Sequence, residues 1–260
     1  MSLYTNLSGF WEFESGALTT DATGTQTAMT NFNTVTSVAG KVGNAASFTT
    51  ASSQALYHAS NSSLQPGPSM SIQAWIKCSD VTLAAQAVAT KRDGSTFAWE
   101  LILAQDGTLA SHASFIVFDA SVGAQAVTTA DGSIAANTWY HIVATYDSAD
   151  KKPRIYLNAA APVVGAVLTA GILTTATAEI GIGGNHAEGI WYSSMLIDQL
   201  GLWQRALSAG EIGTGAGTLY NSGNGLSYAA MAPAGGSLFR YSNLDGLQSG
   251  GPFFNDPLGG

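Results

Sequence analysis

Charge is what this sequence has least of. Only 10% of its 260 residues are Asp, Glu, Lys or Arg, against about 25% in an ordinary soluble domain. The hydrophobic share is an ordinary 46%, and 30 glycines, with many Ala, Ser and Thr, fill the space the ions leave. Plentiful apolar residues spread along the chain exclude disorder by charge repulsion. The shortage of Glu, Lys and Arg excludes a coiled coil, and the absence of a Gly-X-Y period excludes collagen. Nine Lys and Arg against 17 Asp and Glu give a net charge of −8. The nine are scattered, which excludes a phosphate-tracking stripe and hence nucleic-acid binding. One cysteine, Cys78, allows no internal disulfide. No run approaches the roughly 18 apolar residues of a membrane span. The start, Met1-Ser2-Leu3-Tyr4-Thr5-Asn6, has neither the basic residues nor the apolar run of a signal peptide.

What is there is period two. Met70, Ile72, Ala74, Ile76 and Cys78 share one face of a strand, and Ser71, Gln73, Trp75 and Lys77 the other, the pattern of a half-buried antiparallel strand. Tyr140, Ile142, Ala144 and Tyr146 line a second strand. Others are expected over 9–14, 43–49, 54–58, 86–91, 97–104, 111–119, 154–158, 178–183 and 195–204. Turn chemistry at Asp93-Gly94, Asp106-Gly107, Asp131-Gly132 and Gly183-Gly184-Asn185 separates them. Short strands at this spacing predict an all-β sandwich or barrel. One helix is expected near 208–220, opened by the capping box Ser208-Ala209-Gly210-Glu211 and weakened by Gly210, Gly213 and Gly215. The texture changes at Asn221-Ser222-Gly223-Asn224-Gly225. A body over 1–224 is therefore expected, followed by a Gly- and Pro-rich arm over 225–260 carrying Phe239, Tyr241, Phe253 and Phe254. The segment reads either as a disordered tail or as an arm that orders against its own domain or a neighbouring subunit; a tail that only solvates would not need four aromatics, which favours the arm.

Five segments, in order, resemble the laminin G-like jelly-roll family of the concanavalin A-like lectin and glucanase superfamily. Gly9-Phe10-Trp11-Glu12-Phe13-Glu14-Ser15-Gly16 is similar to its first strand, and Ala39-Gly40-Lys41-Val42-Gly43-Asn44-Ala45-Ala46-Ser47-Phe48 to its G-K-x-G segment. Ser71 to Lys77 resembles its S-x-x-A-W-x-K strand, Asn137 to Asp147 its N-x-W-H-H-V-A-x-x-Y-D strand, and Ile197 to Ser208 its closing I-D-E…R-A-L-S segment. The resemblance spans about residues 8–222 and implies two antiparallel sheets packed face to face. There are departures: Thr49-Thr50 stand where the family often has an acidic residue and Gly, Asn158-Ala159 replace an Asp-Gly hairpin, and Gln199 replaces the Glu after Asp198.

Related sandwiches often bind a structural Ca²⁺ between first and last strands, and Glu12, Glu14, Asp21 and Asp198 are the acids placed near that junction. Calcium needs six to eight oxygens, so the lost acidic positions count against the site; the alternative is that Asp198 accepts backbone hydrogen bonds and both Glu residues are solvated. No E-x-D-x-x-E strand supplies the two carboxyls of a glucanase. The His186-Ala187-Glu188 triplet lacks the P-C-x-x-C partner of zinc deaminases, and His58, His112, His141 and His186 are too scattered for a triad. His141 is read as a strand histidine with a satisfied ring. A non-enzymatic protein is expected.

If a sugar binds, stacking aromatics and amides are needed. Asn185, His186, Trp191 and Tyr192 are the first candidates, with Tyr57, His58 and Trp99 second; the resemblance implies instead that Trp191 and Tyr192 pack the core. Two functions remain open. The first is a phage virion component (capsid decoration, head fibre or tail-associated subunit), on a virion surface, contacting other capsid subunits and itself as a homo-oligomer such as a trimer. The alternative is a carbohydrate-binding lectin-like adhesion module, at a cell surface or secreted without a signal peptide.

Overall fold

The structure is a computed structural model and describes residues 1–94, 96–104, 111–174 and 176–231. Fifteen strands follow in chain order: β1 (Leu7–Trp11), β2 (Thr30–Phe32), β3 (Thr36–Ala39), β4 (Asn44–Phe48), β5 (Ala55–His58), β6 (Met70–Cys78), β7 (Ala85–Arg92) and β8 (Phe97–Ala104). They continue with β9 (His112–Asp119), β10 (Gly123–Thr128), β11 (Trp139–Asp147), β12 (Lys152–Leu157), β13 (Val163–Val164), β14 (Ile180–Ile182) and β15 (Met195–Trp203). Helix α1 (Ala209–Ile212) comes last. The strands form two antiparallel sheets. Sheet A runs β13-β12-β11-β6-β15-β4-β3, with β1 added on β15; sheet B runs β10-β9-β8-β7-β14-β5-β2. This is the two-sheet sandwich that the resemblance implies, and one of the two all-β architectures that the alternation allows.

The core lies between the sheets, as the period-two faces require. Ile72, Ala74 and Ile76 of β6 and Ile142 and Ala144 of β11 belong to one cluster with Leu101 of β8, Phe115 of β9 and Ile180 of β14. Asn158 and Ala159 both take positive φ, 52° and 55°. That is the turn conformation the usual Asp-Gly would adopt, here with Asn158 in its favoured role and Ala159 carrying the strain.

One expectation needs correction. β6 is not half-buried: Ser71, Gln73 and Trp75, on its second face, are 0%, 1% and 2% exposed. A second apolar cluster covers that face, in which Leu207, Ile212, Leu219, Leu226 and Met231 meet Val143, Tyr156 and Trp203. The Tyr220 ring stacks on Trp75 at 5.7 Å and 14°. The covering segment is mostly irregular. Only four residues are α-helical, capped by Ser208 and Glu211 in the reciprocal box the sequence showed and ended at Gly213, and single 3-10 turns follow at Asn221–Gly223 and Ala229–Met231. Residues 225–231, read as the start of the arm, are packed on the body: the Tyr4 hydroxyl donates to the Tyr228 carbonyl at 2.8 Å, and Met231 is buried. Phe239, Tyr241, Phe253 and Phe254 lie outside the described residues. Among the described residues, no helix is long and apolar enough to cross a membrane.

If this segment seals sheet A, truncating Leu219, which is 1% exposed, removes part of the seal. Leu219→Ala should lower the unfolding free energy by about 2–5 kcal/mol in urea titration, whereas a merely draped segment would leave the midpoint unchanged.

Candidate functional site

The four acids expected at the strand junction are not brought together. Strand β1 stops at Trp11 and Phe13 turns at φ 57°, so Glu12 and Glu14 do not share a strand face. Glu12 accepts from the Tyr228 N–H at 2.9 Å and Glu14 from the Asn44 N–H at 3.2 Å. Asp21 accepts from the N–H groups of Phe10, Thr23, Thr25 and Gln26 at 2.8, 3.1, 2.9 and 2.9 Å. Asp198 Oδ2 accepts from Lys41 and Val42 N–H at 2.8 and 2.9 Å. No group of three or more His, Cys, Asp or Glu able to hold a metal occurs among the described residues. The carboxylates do not fit a shared Ca²⁺, because each is committed to backbone donors that tie distant loops to the sheet.

Beneath the covering segment, Asp198, Trp75 and His141 are register neighbours across β15, β6 and β11. His141 Nε2 lies 2.9 Å from Gln73 Oε1, but Nδ1 has no partner, so the ring is only half satisfied. Burial pushes this histidine down to about 3. Burial also pushes Asp198 up to about 7, against the pull of the Val42 and Lys41 N–H groups.

The sugar-binding candidates separate into bracing residues and exposed rings. The 183–190 loop folds back over the outer face of sheet B. It can approach because β14 carries Gly181 there: a Cβ would stand 2.5 Å from the Gly184 carbonyl oxygen. Asn185 is buried and exchanges both backbone hydrogen bonds with Ile190; its Oδ1 accepts from the Glu188 N–H. It braces the loop. Tyr192 packs its ring on the Gly184 backbone, and its carbonyl accepts from Thr50.

His186 is aimed at the outer face. Its ring stacks on Tyr57 at 3.9 Å and 3°, meets Phe32 edge-on at 4.6 Å, and its Nδ1 lies 2.7 Å from Glu179 Oε1. All four side chains are half-buried. On the other side of the loop, the Arg92 guanidinium lies 4.9 Å from the Trp191 ring centroid and 5.2 Å from that of Phe97. It pairs with both Glu100 and Glu188 at 2.9 Å. Burial pushes the Glu100 carboxyl above its ordinary value, and Arg92 draws it back. Trp191 lines a cleft of about 360 Å³ with Leu83, Ile190 and Tyr192. The second-choice residues divide. Tyr57 belongs to the platform, but Trp99 is 1% exposed in the core, and buried His58 bonds Thr27 and the Ala59 carbonyl. Phe32, Arg92, Glu100 and Glu179 escaped the sequence reading. Pairing β7 with β8 across Asp93-Gly94 would have placed Arg92 opposite Phe97, but nothing local marks Phe32.

These features define a β-sandwich with one face sealed and one open and aromatic. Residues 48–213 match the family model of the concanavalin A-like lectin/glucanases superfamily, and the chain belongs to that family. Comparison with curated protein sequences finds no match. Among solved structures, it is similar to domain 4 of an extracellular arabinanase from Geobacillus stearothermophilus, in complex with arabinotriose: 18% identity, 80% of this chain and 96% of that one, TM-score 0.60. It is also similar to the binding domain of Paraclostridial mosquitocidal protein 1 (18%, 80% and 51%, 0.63) and the receptor binding domain of botulinum neurotoxin D (14%, 80% and 51%, 0.61). The chain thus spans about half the length of these two toxin domains. At such identities the likeness shows the fold.

The buried pair predicts an opposed pH response. His141, at 6.5 when unfolded and about 3 when folded, loses stability as pH falls from 6.5 toward 3. Asp198, at 3.8 unfolded and about 7 folded, gains it as pH falls from 7 toward 3.8. Each slope is bounded by about 1.4 kcal/mol per pH unit. Asp198→Asn removes the gain, so urea titrations of this variant should show stability falling between pH 6.5 and 4, where the parent chain changes little. A flat profile in the variant would show that His141 is not held neutral.

Proposed function

We propose that the chain is a non-catalytic, lectin-like module that binds a carbohydrate on the outer face of sheet B. The observation that carries this reading is the coplanar Tyr57–His186 stack, with Phe32 at its edge and Glu179 beside it. A flat apolar ring takes the C–H face of a sugar, and a neighbouring carboxylate takes its hydroxyls, the mix of apolar lining and few polar groups that small-ligand sites use. Trp191, steadied by Arg92, supplies a second ring. The fold shared with a domain seen with arabinotriose supports the reading. Commitment of Glu12, Glu14, Asp21 and Asp198 to backbone N–H groups favours binding over hydrolysis.

Calorimetry against arabino-, xylo- and gluco-oligosaccharides tests it. At least one series should bind, and Tyr57→Ala or Trp191→Ala should weaken it about tenfold, near 1.4 kcal/mol, while the variants keep the far-UV spectrum of the parent chain; loss of the ring stack should cost Tyr57→Ala about 0.5–1.5 kcal/mol of stability. No binding at millimolar sugar overturns the proposal.

A second reading, a structural subunit on a virion surface that assembles with itself and with capsid subunits, is favoured by a different observation. Val163 and Val164 of edge strand β13, with Val167, are 44%, 48% and 59% exposed. An open strand edge carrying apolar side chains invites pairing. Light scattering should then show an oligomer for the full chain, and a monomer for Val163→Lys/Val164→Lys or for a chain ending at Met231. A monomeric full chain removes this reading.

A further inference from the structure

The 207–231 segment seals only part of the outer face of sheet A. At the uncovered end, Ser47, Leu196, Lys77 and Trp139 are consecutive register partners across β4, β15, β6 and β11. Ser47, Leu196 and Lys77, with Thr49 and Asn137, line a cleft of about 330 Å³, a volume at the lower end of the small-ligand range.

Lys77 is unlike the other cations. Of the eight Lys and Arg among the described residues, Arg92, Arg154 and Arg205 pair with carboxylates. Lys41 lies over Trp75, Lys91 donates to Ser60 and the Ala178 carbonyl, and Lys151 donates to the Thr169 carbonyl. Lys152 faces Asp147 across its hairpin. Lys77, half-buried, meets no acid, acceptor or ring among the described residues, and no Asp or Glu lines the cleft. Asp80, three residues on, is engaged by the Thr82 N–H and hydroxyl at 2.9 and 2.6 Å. The hydroxyls of Ser47 and Thr49 and the side-chain amide of Asn137 likewise make no hydrogen bond among the described residues. The cleft therefore joins one unneutralised ammonium to three free polar side chains above apolar Leu196, in a chain whose net charge is −8.

We propose that this cleft is a second binding site, distinct from the sheet B face, that takes the carboxylate of a uronic-acid sugar residue. Lys77 is the counter-ion, and Ser47, Thr49 and Asn137 bind the ring hydroxyls. A single ammonium suits a monovalent carboxylate, which needs fewer donors than a phosphate, and a flexible Lys acts as a point charge. Half-buried Leu196, which lines the cleft beside Lys77, offers the apolar surface that a sugar ring needs and an isolated anion does not.

Isotope-edited NMR of the full chain titrated with trigalacturonate, with galactotriose as the neutral control, tests the proposal. Trigalacturonate should shift the amides of Ser47, Lys77, Asn137 and Leu196 saturably, and galactotriose should leave them unmoved. Lys77→Met should weaken the binding about tenfold, and so should raised salt, which screens an exposed pair; Lys77→Arg should restore it. Because the Lys77 side chain holds nothing else in place, both variants should melt with the parent chain. No response at these amides, an equal response to both sugars, or unchanged affinity in Lys77→Met overturns the proposal. The sheet B site is read through the amides of Tyr57 and His186, so failure of one reading is visible without failure of the other.

Discussion

The structure depends on sheet A being covered twice. Its inner face makes the sandwich core, and its outer face is sealed by residues 207–231, so polar side chains on that face have lost water and must find partners within the protein. Gln73 does so by facing His141, and Ser71 by donating to the Arg205 carbonyl and accepting from the Leu207 N–H. A chain so poor in ions can adopt this arrangement, since few charges need to be moved out of water. The exceptions are instructive. Asp198 Oδ1, His141 Nδ1 and Trp75 Nε1 are buried without partners, and two of these belong to groups whose charged forms burial opposes.

The second covering also decides where ligands can reach the fold. With sheet A sealed except at one end, the open surface is the outer face of sheet B and that remaining end. On sheet B, Gly181 has no side chain to hold the 183–190 loop away, and the loop descends until His186 lies flat on Tyr57. The stack is thus a consequence of one missing Cβ, and the two rings stiffen each other in a way that isolated surface aromatics do not. Arg92 plays the matching part across the loop, fixing Glu188 of the loop to Glu100 of the sheet.

Much of this was legible in the residues. The alternation in 70–78 and 139–147 gave strands and their inward faces correctly, because each central strand has an invariably apolar side facing the core. The capping box at Ser208 was equally plain. What the alternation could not show is that Ser71, Gln73 and Trp75 would also be buried. That depends on a segment more than 130 residues away whose glycine-rich texture hides five buried apolar anchors. Strands β2, β3 and β13 went unread for a different reason: they are two to four residues long, too short for a period to emerge; β10, six residues of Gly, Ala, Gln, Val and Thr, went unread because it has no large apolar residue but Val127 to mark a face. The candidate site was half legible. The aromatics of the Gly183 to Ser194 loop stand out in the sequence, but Asn185 braces the backbone, and Phe32 and Arg92 come beside His186 and Trp191 only through tertiary pairing.

A glycosidase must keep two carboxylates free, one to give a proton and one to attack or activate water, at a separation set by the reaction. In this fold, Asp21 and Asp198 serve as anchors into which backbone N–H groups converge, which satisfies loop donors that would otherwise be buried without acceptors. Glu100 and Glu188 share a single guanidinium, which supplies the positive charge that each needs and fixes both in place. Acids committed in this way stabilise a surface but are poorly prepared to exchange protons upon it. The outer face of sheet B carries its rings beside ions that are already engaged, Arg92 with Glu100 and Glu188, and Glu179 with the His186 ring.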